Sequence, residues 1–455
     1  MSDTVVSNHP SSYRDPSGFI FEKEGVIYRQ VNTVFKDHYT HFINSGLYQH
    51  FADNKMLVPH EEIKENLTGS SNFYITIKPE KIPFISYAYE WPFDMLKDAA
   101  LLTLQLAKDA LNYSMILKDA TPYNIQWKNG QPIFIDTISF EKYEATPWIA
   151  YRQFCENFLG PLLIMHYSKQ HLPQLYTAWP NGIPLSVIQS LLPKKSKWSL
   201  HTYLHIHLHN RIANKNKGGE QKGKPFDKQK LLNLFTSLEL LIKKLHVPQQ
   251  VSTWSDYYQE AAQRNHYLDS KKKIITEWLQ ELTPVQAIAD LGANEGEFSA
   301  LASSYCKEII AADFDPYCIN KLYLKKKSEP VYPLVIDLSN PSPALGVNNE
   351  ERSSFLQRLQ VDIIFAFALI HHLAIGKNIP FNKIAALFAQ CCQYLIIEFV
   401  PKEDEKVQLM LKQKEDIYSA YTEKEFISSF EEKFTILKKE NVQDSPRVLF
   451  LMKKK

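Results

Sequence analysis

Three aspartates each close a short apolar run and stand just before a helical stretch. They are Asp290 in "AIADLGANEGEF", Asp313 in "IIAADFD" and Asp337 in "PLVIDLS". In open α/β sheets, ligands bind beyond the carboxyl ends of the strands, so acids placed there can do chemistry. An acid at the second strand end can accept hydrogen bonds from both hydroxyls of a ribose. An acid at the third can take the exocyclic amine of an adenine. After Asp290, Gly292 and Gly296 let the backbone turn tightly and approach a ligand without a Cβ in the way. Together the three acids point to an adenosine-bearing ligand.

Glu295 and Glu297 narrow the choice. A dinucleotide sets its pyrophosphate against such a glycine turn, at the helix N-terminus. Two acids there oppose it, since unit charges ~4 Å apart interact by ~4 kcal/mol at an effective dielectric near 20. S-adenosylmethionine (SAM) carries an ammonium and a sulfonium and no phosphate, so the same acids favour it. A plainer reading is that the glutamates stabilise the first turn of the helix.

Alternating elements must position these residues. Short apolar runs at 286–290, 308–312, 331–336, 361–367 and 394–400 are strand candidates, and 296–304, 316–326, 352–359 and 379–391 are helix candidates. This alternation predicts a parallel sheet covered on both faces. Near the end, Thr422 and Glu425 have the spacing of a capping box. Two further strands, 433–440 and 446–452, follow with a short turn between them. A short connection suits an antiparallel pair, so the sheet ends with a reversed strand.

These motifs, with "VDIIFAFALIHHL", resemble those of class I SAM-dependent methyltransferases over about residues 285–452. The resemblance implies an α/β fold with a Rossmann-like seven-stranded sheet and S-adenosyl-L-methionine as cofactor. It implies a binding set of Asp290, Gly292, Ala293, Asn294 and Gly296 for the methionine part, Asp313 and Phe314 for the ribose, Asp337 and Leu338 for the adenine, and Ala368 beside them. Asn294 replaces a common glycine, and Asn tolerates such backbone. Trp254, Tyr257, Tyr258 and Tyr267 stand where the family often closes a lid, or else pack a core. Methyl transfer is an in-line displacement in which the protein aligns the nucleophile and takes its proton. His371, His372 and Glu398 are the catalytic candidates, with Lys402, Glu403 and Asp404 nearby. Adjacent helical residues face different ways, so at most one histidine faces the substrate. Glu398 is either a substrate contact or the partner of a buried cation.

The N-terminal half carries a second constellation. Asp119, Asn124 and Asp136 follow D-x4-N-x11-D within "LKDATPYNIQWKNGQPIFIDTISFE". This resembles the catalytic loop and metal-binding aspartate of aminoglycoside and choline kinases. The resemblance implies Asp119 as base, and Asn124 and Asp136 as magnesium ligands. The chain departs from it at Lys118, at Asp136-Thr137 and in lacking a glycine-rich phosphate loop, so no resident metal is expected. "HTYLHIHLH" sets His205, His207 and His209 on one face of a candidate strand, a packed surface or a zinc site.

The domains expected are an α+β N-terminal domain (1–212) with the character of a reduced, substrate-selecting kinase-like lobe, a linker (213–226), a helical connector or lid (227–284) and the methyltransferase domain (285–455). The stretches "SGFIF", "SYAYEW", "LKDATPYNIQ", "IDTISFE", "PWIAYRQFC", "IHHLAI" and "IIEFVPK" extend the likeness. They resemble bacterial NoeA-related methyltransferases over nearly the whole chain. An O-directed methyltransferase acting on a small molecule or glycan is the expectation. A bifunctional kinase–methyltransferase and a non-catalytic SAM-fold scaffold are the alternatives. The formal charge of +2 gives no signal for nucleic acid, and no run of about 20 apolar residues predicts a membrane span. Five cysteines without paired or metal-ligand spacing fit reduced thiols and a cytoplasmic location.

Overall fold

The computed structural model describes residues 7–211, 226–248, 266–325, 329–412 and 415–455. All of the expected linker but residue 226 lies outside these, as do Trp254, Tyr257 and Tyr258. The chain forms two units, Met1–Pro248 with Ala344–Arg352, and Gln249–Pro343 with Ser353–Lys455.

The first unit opens with a five-stranded antiparallel sheet. Its strands are β1 (Ser7–Asn8), β2 (Gly18–Lys23), β3 (Val26–Asn32), β4 (His60–Ile63) and β5 (Phe73–Pro79), in the order β1-β2-β3-β5-β4. Helix α1 (Phe93–Asn112) follows, with β6 (Met115–Leu117) paired to β9 (Phe140–Lys142). β7 (Ile125–Lys128) and β8 (Gln131–Phe134) form a hairpin whose turn is Asn129-Gly130, both at positive φ, as a two-residue turn of matching twist requires. Helix α2 (Lys228–Lys244) belongs here, tied to α1 by the Lys108–Glu239 ion pair. Of the described residues in 227–284, helix α2 falls in the first unit and Tyr267–Leu282 in the second.

The histidine-rich stretch is helical, not a strand. Leu200–Thr202 is α-helical and Tyr203–Leu208 forms a π-helical turn. His205 bonds Tyr151 Oη and Ser237 Oγ, His207 bonds Ser196 Oγ, and His209 stacks on Tyr151. His205 and His209 share Tyr151, and His207 meets Ser196 instead. Among the described residues, no group of three or more His, Cys, Asp or Glu is placed to hold a metal.

The second unit has the seven-stranded sheet expected. β10 (Ala287–Leu291), β11 (Glu308–Asp313), β12 (Val331–Val335), β13 (Val361–Ala366) and β14 (Cys392–Phe399) run parallel. The order is β12-β11-β10-β13-β14-β16-β15. β16 (Val448–Lys454) is antiparallel to both β14 and β15 (Phe434–Asn441), so the reversed strand lies one in from the edge. Strand order reverses between β10 and β13, which makes the carboxyl ends of these two strands the natural site.

The helices of this unit include α3 (Tyr267–Leu282), α4 (Glu297–Ala302), α5 (Pro316–Lys325), α6 (Phe355–Arg358), α7 (Phe381–Ala389) and α8 (Glu423–Glu431). α4, α6 and α7 are each shorter than expected. α6 begins after the segment that joins the first unit, and α7 starts behind Pro380, which suits a helix entry. Thr422 accepts the Glu425 N–H, giving half of the expected capping box. Ile288, Ile309, Ile363, Phe365 and Ile396 from the central strands join Trp278 and Leu279 of α3 in one core.

Candidate active site

The turn after β10 is built on three left-handed residues, Gly292 (φ 83), Asn294 (φ 50) and Gly296 (φ 82). At Gly296 a Cβ would come within 2.4 Å of Leu322 Cδ1 of α5, so the glycine is needed for conformation and for space. Asn294 supports its own turn, its side-chain oxygen accepting the Glu295 N–H.

The turn floors an open cavity of about 1180 Å³, including its mouth. From the expected set, Gly292, Asn294, Asp313, Phe314, Asp337, Leu338 and Ala368 line it. Asp290, Ala293 and Gly296 do not. Asp290 is buried behind the turn, where it accepts Ser299 Oγ at 2.6 Å and fixes α4.

Asp313 does face the cavity. Its Oδ2 accepts the Asn294 N–H and its Oδ1 the Asp315 N–H, both at 2.9 Å, which fixes the carboxylate and leaves it acceptor capacity. Burial pushes Asp313 and Asp290 each up to about 6. Asp337 accepts Ser339 N–H and Oγ and lies 3.5 Å from Lys377 Nζ. Burial raises its carboxyl, but Ser339 and Lys377 outweigh it and hold the group below its ordinary value.

The turn glutamates take the plainer role. Glu295 is paired with Lys321 and Lys325 of α5, and Glu297 with Lys272 of α3. Neither lines the cavity, so the charge argument against a phosphate rests on Asp313 and Asp337 alone.

The acceptor-side candidates separate. His372 lines the cavity, while His371 is 1% exposed, with a buried Nδ1 that has no hydrogen-bond partner among the described residues. Burial, aided by Arg447, lowers His372 to about 4, so its ring is neutral near pH 7. Burial, then His372 and Arg447, drive His371 well below its ordinary value. Glu398 is wholly buried and does not meet the cavity. It meets the buried cation, with Oε2 2.9 Å from Lys271 Nζ and 2.7 Å from the Ala368 N–H, while Oε1 accepts Tyr267 Oη at 2.9 Å. Ala368 is left-handed (φ 47), and this bond holds it there. Arg447 continues the network to Asp404 at 2.8 Å and to Tyr267 Oη at 3.0 Å.

Sequence reasoning missed Lys271, Leu268, Phe298, Ile336, Phe367, Leu369, Leu373, Gly376 and Lys377 in the cavity wall. For Lys271 a signal existed. It falls on the apolar stripe Tyr267, Ile274, Ile275, Trp278, where a lysine needs a buried partner.

In the first unit, Asp136 Oδ1 is 2.6 Å from Arg29 Nη1, and its Oδ2 accepts Ser139 Oγ. Asp119 Oδ1 accepts Gln153 Nε2 at 2.6 Å, and burial and Asp136 raise its carboxyl. Asn124 donates to Ser139 Oγ.

The chain is 30% identical to nodulation protein NoeA of Rhizobium meliloti (strain 1021) over 452 residues, covering 96% of this chain and 94% of the relative. The chain belongs to the NoeA family. No family model matches it. Among solved structures it is similar to the N-methyltransferase NodS from Bradyrhizobium japonicum WM9 (12% identity, 42% of this chain and 97% of that one, TM-score 0.32). It is also similar to magnesium protoporphyrin IX methyltransferase from Synechocystis PCC 6803 (14%, 46% and 90%, TM-score 0.31). Likenesses so distant leave the functional reading to the geometry of the site. No helix among the described residues is long and apolar enough to cross a membrane.

Proposed function

We propose that this NoeA-family chain is a SAM-dependent methyltransferase that transfers the methyl group to an oxygen of a small molecule or glycan, in the cytoplasm. The observation that carries the reading is Asp313. It is a backbone-anchored carboxylate facing an open cavity at the end of β11, with Asp337 at the next strand end. Asp313 takes the ribose hydroxyls, and Asp337 with Leu338 takes the adenine. Gly292 and Asn294 approach the methionine arm, whose positive groups suit a site lined by these acids.

The residues of the chain act by alignment. S-adenosylmethionine supplies an activated methyl carbon. The acceptor oxygen approaches from the side of residues 368–376, where His372, a weak base at about 4, orients the hydroxyl, whose proton leaves to solvent as the methyl is transferred. Glu398 and His371 position the segment from beneath. The test is to incubate the purified protein with radiolabelled SAM and fractions of cellular metabolites and glycans. Label should enter an acceptor with the wild type and not with Asp313→Ala, and the acceptor atom then follows from the product. Equal labelling by both proteins would sink the site assignment.

The kinase-like reading of the first unit gains no such support. Asp136, one of the two magnesium ligands that the resemblance implied, already holds Arg29 and Ser139. The donor set in this arrangement does not fit the ion, and no phosphotransfer step is derived.

A further inference from the structure

A lysine almost fully out of water, on the wall of a cavity, needs a reason. Lys271 is 2% exposed and belongs to a buried network with Glu398, Asp404 and Arg447. Burying such a network gains little stability over a well-packed apolar one. Three of its members, Glu398, Asp404 and Arg447, lie away from the cavity. Lys271 lines it.

The ammonium of Lys271 is incompletely used. It carries three donors, and among the described residues it makes one hydrogen bond, to Glu398 Oε2 at 2.9 Å. The rings of Phe367 and Phe298 lie 4.5 and 4.7 Å from Nζ and flank it on the cavity side.

Charge bookkeeping identifies what belongs there. The methionine arm of the proposed cofactor has an ammonium and a carboxylate. Asp313 and Asp337 serve positive or hydroxylated groups, and nothing so far serves the carboxylate. Two lysines line the cavity, Lys271 and Lys377. Lys377 is drawn to Asp337, at the end read as the adenine subsite. Lys271 stands beside Phe298 of α4, the helix that opens from the turn read as holding the methionine arm.

The geometry points to Lys271 as the residue that holds the carboxylate of the methionine arm, with Glu398 fixing its position from behind. The inference rests on the cofactor reading above. It also gives the Glu398 network a task. A carboxylate that draws on Lys271 acts on the same Glu398 oxygen that fixes the Ala368 N–H, so occupancy of the arm is felt at the segment carrying His372.

A two-by-two titration of the full chain tests this. S-adenosylhomocysteine and its decarboxylated analogue, which keeps the amine, are each titrated into the wild type and into K271M/E398Q. The double variant removes both partners, so that no carboxylate is stranded in the core. The wild type should prefer S-adenosylhomocysteine by roughly 10- to 100-fold, as expected for a charge-assisted hydrogen bond of about 1.5–3 kcal/mol. The variant should lose that preference and bind the decarboxylated ligand within about threefold of the wild type. An unchanged preference in the variant, or an equal loss for both ligands, overturns the assignment of Lys271 while leaving the cofactor reading in place. Binding of neither ligand by the wild type overturns both. K271Q provides a second route if the double variant is unstable, with the same selective loss expected.

Discussion

Two sets of acids, one in each unit, look alike as spacings and differ as structures. In the first unit, Asp136 is spent on Arg29 and Ser139, while Asp119 Oδ1 accepts Gln153. In the second, Asp313 is anchored by two backbone N–H groups and still faces a cavity. Backbone donors orient a carboxylate without neutralising it, whereas an arginine at 2.6 Å supplies the charge that a ligand would have brought. A motif at the right spacing therefore marks a site only where its neighbours leave the functional atoms unspent.

The sharpest way to break this contrast is to exchange the acids. Asp313→Ala should lower S-adenosylhomocysteine affinity by roughly 100-fold or more, since two hydrogen bonds to a charged acceptor are lost, each worth about 1.5–3 kcal/mol. Calorimetry showing a change under threefold would remove Asp313 from the site. Asp136→Asn should leave that affinity within about twofold and instead lower stability by about 2 kcal/mol in denaturant titration, because Arg29 loses its partner. A large affinity change with unaltered stability would reverse the roles given to the two units.

Gly296→Ala probes the turn itself. It adds a Cβ against Leu322 at a φ of 82, and should cost about 2–4 kcal/mol of stability. A fully stable variant would mean that the turn is set differently.

The pH dependence separates ligand binding from folding. Asp313 titrates near 6 in the folded protein, above the ordinary carboxylate range. The free folded chain therefore binds the extra proton between about 4 and 6, so this group's contribution to stability is lost as pH rises through that window. A cationic cofactor prefers the ionised form, so SAM affinity should rise about tenfold from pH 5 to 7.5, the opposite sign. A flat profile would show that the carboxylate is not used in its charged form. The smallest effect is expected at Glu295→Gln, under twofold on affinity, because Lys321 and Lys325 hold that side chain away from the cavity.

The sheet of the second unit was legible because buried parallel strands read as continuous apolar runs separated by helical stretches. The strand-end residues Asp313 and Asp337 were legible for the same reason, since the end of a run places them. Sequence could not show which turn residues face outward. Asp290 sits one strand over and points behind the turn to Ser299, and Glu295 is claimed by lysines about 30 positions away. Nor could it show that Glu398 would meet Lys271, 127 residues earlier in the chain. The histidine stretch misled because an alternating pattern of nine residues fits a strand, while the partners that make it helical come from Tyr151, Ser196 and Ser237.

A crystal structure of the chain grown with S-adenosylhomocysteine bears most directly on the central claim. The account predicts ribose hydroxyls on Asp313, adenine beside Asp337 and Leu338, and the amino-acid arm along Gly292 toward Lys271. Ligand density elsewhere, or an adenosyl group bound without contact to Asp313, would contradict it.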